Sequence, residues 1–186
     1  MKHITYLRRA NEAAKAARAS GNTPFGAVLV NGDGEVVMVQ GNAEHDLNDA
    51  TAHAEMTLAS RASRTYPKSY LKDCTLYTTC EPCPMCTGGI YWAGIGHIVY
   101  GITEKRLLEL TGSDEKNPTF SMGADKVIAA GQKEITLEGP ISEMEAEIVE
   151  VHKASGISEQ RGRTRCGRLR KSRTPWRPAW AGTPAT

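Results

Sequence analysis

His53 and Glu55 stand two residues apart in Thr51-Ala52-His53-Ala54-Glu55, and Cys83 and Cys86 close the stretch Cys80-Glu81-Pro82-Cys83-Pro84-Met85-Cys86. One imidazole and two thiols are soft or borderline donors, a set that suits Zn²⁺ better than a hard cation. Three protein ligands leave a tetrahedral ion one open position for water, whose pKa the metal lowers by several units. Glu55, beside the histidine, is then placed to take a proton from that water and deliver it elsewhere. These residues point to metal-assisted hydrolysis with one zinc ion per subunit. The alternative is a closed structural site with Cys80 as fourth donor. Against it stand the position of Cys80 at a strand end before a Glu-Pro turn, and a glutamate that a closed site does not need. Cys74 and Cys80 read instead as small core residues.

The elements that must position this set follow from periodicity. Residues 4–20 place Leu7, Ala10, Ala14 and Ala17 at helical spacing, and Gly21 is a natural stop. Residues 25–30 form an apolar run expected to be a buried strand, 31–34 (Asn-Gly-Asp-Gly) a hairpin turn, and 35–40 the return strand. Residues 43–50 read as a polar loop. A helix is expected from Thr51 or Ala52 to about residue 62, with His53 and Glu55 in its first turn. A strand at 75–79 leads to the cysteines, and Pro84 suits the first position of a helix running to about residue 92. A strand at 98–100, a short helix at 105–110, a loop at 111–125, a strand at 134–137 and an amphipathic helix at 141–153 complete the pattern. Helices alternating with strands after an opening hairpin imply an α/β domain with helices on both sheet faces.

Composition narrows the partners. The 186 residues carry a formal net charge of +2, but unevenly: up to Gln160 there are 15 basic against 21 acidic residues, a net of −6, and residues 161–177 add 8 basic ones. A negative catalytic segment is a poor match for a polyphosphate or nucleic-acid substrate, whose binding draws on Lys and Arg. Residues 156–186 mix Arg, Gly and Pro with Trp176 and Trp180 without apolar periodicity, and read as a basic disordered tail beyond a domain spanning 1–155. Five cysteines, an odd number, fit a reducing compartment better than a disulfide framework. No apolar run approaches a membrane span, and the first residues lack the apolar centre of a signal peptide, so a cytoplasmic protein is expected.

With the residues in view, Thr51-Ala-His-Ala-Glu55 and Cys80-Glu-Pro-Cys-Pro-Met-Cys86 resemble the cytidine deaminase-like superfamily. The similarity runs over about residues 4–153 and falls in the branch holding guanine deaminases, tRNA adenosine deaminases and fungal-type cytosine deaminases. Pro24-Phe-Gly-Ala-Val28 and Gly88-Gly-Ile-Tyr-Trp-Ala93 are similar to bacterial guanine deaminases. The resemblance implies a three-layer α/β/α fold with a mixed five-stranded sheet, a homodimer, and zinc held by His53, Cys83 and Cys86. It also implies hydrolytic deamination of a free nucleobase, guanine to xanthine and ammonia, with Glu55 as proton shuttle. By the same resemblance Asn42 and the Ala54 amide bind the base, Phe25 packs on it, and Asp114 is a second acid, with Glu115 close enough to compete. Each has a plain alternative: Asn42 as a loop cap, Phe25 as core, Asp114 as a solvated loop acid.

The chain departs from the family pattern twice. Where tRNA enzymes carry a basic segment, residues 103–109 have mixed charge, and no aromatic residue follows the final helix until Trp176. Cytosine, a nucleoside, an amino-triazine or tRNA adenosine are alternative substrates of the same machinery. A zinc module binding nucleic acid through the basic tail is the non-enzymatic alternative. The apolar stretch 90–95 supports the expected dimer.

Overall fold

Alternate residues of the central strands face opposite ways, and each set meets its own layer of helices. The computed structural model describes residues 2–112 and 120–153. In chain order these form α1 (Lys2–Ala19), β1 (Gly26–Val30), β2 (Val36–Gly41), α2 (Glu44–Leu47), α3 (Ala54–Thr65), α4 (Lys68–Leu71), β3 (Thr75–Cys80) and α5 (Pro84–Ala93). Then follow β4 (His97–Ile102), α6 (Glu104–Thr111), α7 (Ala124–Ala129), β5 (Thr136–Glu138), a 3₁₀ turn (Ser142–Met144) and α8 (Glu145–Lys153). The sheet order is β2-β1-β3-β4-β5. β1 is antiparallel to both β2 and β3, whereas β3, β4 and β5 run parallel, so the five-stranded sheet is mixed as expected.

Val28, Val30, Tyr77 and Val99 point to one face, where Leu7 and Ala10 of α1, Leu107 of α6 and Ile148 of α8 cover them. Ala27, Leu29, Leu76 and Ile98 point to the other, against Leu58 and Ala62 of α3 and Ile90 of α5. Leu7, Leu58, Ile90 and Ile148 are wholly excluded from solvent, and each such burial contributes about 1.5–3 kcal/mol. Burial on both faces explains why β1 is a continuous apolar run. Two glycines permit the close packing. A Cβ on Gly26 would strike the Ala10 carbonyl of α1, and one on Gly89 would meet Met56 Sδ across the α3–α5 contact.

Some expectations need correction. The helix after residue 50 starts at Ala54, two to three residues late, because Asp49 Oδ1 accepts the Thr51 amide at 2.8 Å and holds the approach in a turn, leaving His53 extended as the N-cap. It ends at Thr65, not near residue 62, where Tyr66-Pro67 stops it. The polar loop contains the single turn α2, and α4 and α7 are short helices that weak periodicity did not announce. Asp114, Glu115 and the tail lie outside the described residues.

Candidate metal centre and active site

The metal donors arrive at the starts of two packed helices. His53 is the N-cap of α3, Cys83 the N-cap of α5 with Pro84 behind it, and Cys86 lies in the first turn of α5. Each helix start carries a partial positive charge of about half a unit, which favours thiolates. His53 Nδ1 lies 3.8 Å from Cys83 Sγ and 3.6 Å from Cys86 Sγ. All three donor atoms fall within 4.8 Å of one another. Zinc–sulfur bonds of about 2.3 Å and zinc–nitrogen bonds of about 2.0–2.1 Å, at tetrahedral angles, separate N from S by about 3.6 Å. The spacing and the soft donors therefore fit Zn²⁺. Cys80 is not among them: its sulfur is buried and turned to Glu104 Oε2 at 3.7 Å. Among the described residues the donor set thus has three members, as an open site requires.

The cluster holds protons that metal binding would release. The hydrogen bond from the Cys86 thiol, then the His53 ring, hold Cys83 down to about 4, while Cys86 is pushed up. Hydrogen bonding to Cys83, then to Glu44, holds His53 up to about 10.

Glu55, in the first turn of α3, is 5 % exposed. Its Oε1 accepts the Thr78 hydroxyl of β3 at 2.9 Å, and its Oε2 lies 3.8 Å from Cys86 Sγ. Burial raises its pKa above the ordinary carboxylate value.

The remaining candidates converge only in part. The Asn42 amide N–H donates to the Phe25 carbonyl at 2.9 Å, so these two residues face each other across the open end of the β1–β2 hairpin. Phe25 is half-buried and meets the His152 ring edge-on, 5.2 Å between centroids. Asn42 is 3 % exposed, with Oδ1 accepting the Glu44 amide at 3.0 Å and Nδ2 donating to Glu44 Oε2 at 2.9 Å. These bonds tie it to the first residue of α2, whose N-cap is Ala43, and leave one amide hydrogen and one lone pair for other use. Ala54, the first residue of α3, is fully buried between His53 and Glu55.

Three supporting residues escaped the sequence reading. Thr78 looked like any β-branched strand residue, yet it orients Glu55. Glu81, inside the cysteine motif, accepts the Glu104 amide at 3.2 Å and the Ala124 amide at 2.9 Å, tying the starts of α6 and α7 to the metal loop. Glu44 sits in what was read as a plain loop, and an Asn-x-Glu pattern just before a metal histidine is the signal that could have marked it.

Residues 1–102 match the cytidine and deoxycytidylate deaminase zinc-binding region. The chain belongs to that family. The deaminase is 35 % identical over 145 residues to a probable cytosine deaminase of Schizosaccharomyces pombe, a match covering 78 % of this chain and 88 % of the relative. It is 47 % identical over 94 residues to a guanine deaminase of Bacillus subtilis, covering 50 % of this chain and 60 % of the relative. A solved guanine deaminase structure from Bacillus subtilis superposes with a TM-score of 0.54 at 33 % identity, covering 72 % of this chain and 99 % of that one. The family is that of zinc-dependent deaminases, and no helix among the described residues is long and apolar enough to cross a membrane.

Proposed function

We propose that this deaminase hydrolyses a free nucleobase, guanine to xanthine with release of ammonia, and that it does so as a homodimer with one zinc ion per subunit. The observation that carries the reading is Glu55: buried, oriented by Thr78, its pKa raised by burial, and 3.8 Å from a metal-donor sulfur. His53, Cys83 and Cys86 would hold the zinc ion, which would supply the Lewis acidity that makes water a nucleophile near neutral pH. Glu55 takes the proton from that water as its oxygen bonds to C2 of the purine, and passes it to the ring nitrogen. The remaining hydrogen of that water, now the C2 hydroxyl proton, then passes through Glu55 to the exocyclic amine; the C2–N bond breaks, ammonia leaves and the C2 carbonyl of xanthine forms. Phe25 packs on the ring, Asn42 and the Ala54 amide hold its edge, and Asp114 serves as the second acid. The 47 % identity to the guanine deaminase supports the choice of base. Of the apolar stretch 90–95, Ile90, Ala93 and Ile95 are buried in the chain's own core, and Trp92, 72 % exposed, is the large apolar side chain left for a subunit contact.

Cytosine is the second reading, favoured by the relative matched over 88 % of its length. Ammonia release from guanine, cytosine, their nucleosides and an amino-triazine decides between them. Turnover of guanine well above the rest, lost in Glu55→Ala and retained after removal of residues 156–186, is expected. Preferential turnover of cytosine replaces the first reading with the second. No turnover on any base, with RNA binding that salt and tail removal abolish, overturns both.

A further inference from the structure

Glu44 is neither a metal donor nor part of either metal motif, yet its carboxylate lies between the two halves of the site. Oε1 is 3.5 Å from His53 Nε2, the ring nitrogen turned away from both thiols. Oε2 accepts the Asn42 side-chain amide at 2.9 Å and the Thr23 hydroxyl at 2.9 Å. The Glu44 backbone amide returns a bond to Asn42 Oδ1 at 3.0 Å, so the two residues clasp each other in both directions. Asn22 braces the same turn from below: its Oδ1 accepts the His45 amide at 2.9 Å and its Nδ2 donates to Asp46 at 2.8 Å. The carboxylate is thus held on a built frame.

An imidazole that ligates through Nδ1 carries its proton on Nε2, and a carboxylate at Nε2 fixes the ring orientation and strengthens the donor. We infer that Glu44 is a positioning residue of the metal centre: one carboxylate oxygen orients His53 for zinc, and the other holds Asn42, so that the two halves of the site are mechanically linked. The inference rests on the proposed metal centre but not on which base is the substrate.

Zinc affinity, measured on the full chain by competition with a chromophoric chelator and without any base present, tests it. Glu44→Ala is expected to bind zinc about 10–100-fold more weakly than the parent. Glu44→Gln keeps an oxygen acceptor of the same reach without the charge, and should recover part of the affinity while remaining at least about 3-fold weaker. Far-UV circular dichroism melts of the metal-free proteins, unchanged in Glu44→Gln, separate positioning from a folding defect. Asn42→Ala should weaken zinc binding about 3-fold in the parent and not at all in Glu44→Ala, because the linkage runs through the shared carboxylate. Affinity of Glu44→Gln within twofold of the parent overturns the positioning role, and equal Asn42→Ala effects in both backgrounds overturn the linkage. A His53→Ala chain that binds zinc as tightly as the parent would instead defeat the donor set itself, a distinguishable failure.

Discussion

The metal half of the site and the hairpin half are built by different means. His53, Cys83 and Cys86 are carried on the starts of α3 and α5, which pack directly on each other and on the sheet. Asn42 and Glu44 sit instead at the entry to the single helical turn α2, between β2 and α3. Their geometry depends on side-chain hydrogen bonds with Thr23, Asn22 and each other. Helix starts anchored in a core are stiff and tolerate little substitution, whereas a loop held by polar side chains can be re-tuned residue by residue. The comparison teaches that, on the proposed reading, the reaction type rests on the rigid half of the site and the choice of base on the replaceable one.

The sharpest way to separate the halves is to remove the proposed proton shuttle, Glu55, alone. Glu55→Gln preserves shape and the acceptor for Thr78, so zinc content by atomic absorption should stay at one per chain. Ammonia release should fall about 10²–10⁴-fold. A Glu55→Gln enzyme retaining a tenth of parental turnover would mean that another acid runs the proton traffic.

On the hairpin side, His152 reports through pH. Burial holds it down to about 4 from 6.5, so in the fold it stays neutral where the unfolded chain takes up a proton. Its contribution is complete above pH 6.5 and is lost as pH falls toward 4, about 3 kcal/mol across that window. Urea melts between pH 7 and pH 4 should show this loss, and His152→Leu should flatten it. An unchanged slope in that variant would place the titration elsewhere.

Smaller effects follow for the contacts on each side. Asn42→Ala, assayed at saturating zinc, should raise KM about 10-fold with little change in kcat if, as proposed, Asn42 gives the substrate one hydrogen bond. A fall in kcat of the same size would move Asn42 from the binding half to the catalytic half. Thr78→Val removes the hydroxyl that orients buried Glu55 and should lower kcat several-fold. It should also cost about 1–3 kcal/mol of stability by leaving the carboxyl without that partner. Thermal melts and turnover measured together check whether both move.

Much of this was legible before any coordinates. The donor trio, Glu55, the opening hairpin and the alternation of strands and helices follow from ligand chemistry and local periodicity, and all sit where they were expected to within a few residues. The exceptions share a cause. His53 was expected inside the first turn of a helix, but the Asp49–Thr51 turn delays the start and turns the histidine into a cap. The stretch 43–50 looked like an unstructured connector because a single helical turn held by Asn22 and Asn42 has no apolar period to reveal it. Thr78 and Glu81 are ordinary residues by type, and their roles exist only because a strand and two helix starts converge on them.

The amino-acid sequence by itself determined the chemistry, because a metal site is specified by donor types at short spacings that local structure can satisfy. Only the tertiary structure decided how the donors are oriented and what is joined to them. Thr78 reaches Glu55 across 23 positions of chain, and Glu81 reaches Ala124 across 43. Contacts between residues so far apart depend on how the sheet and its two helical layers pack, and no local pattern of residues encodes that.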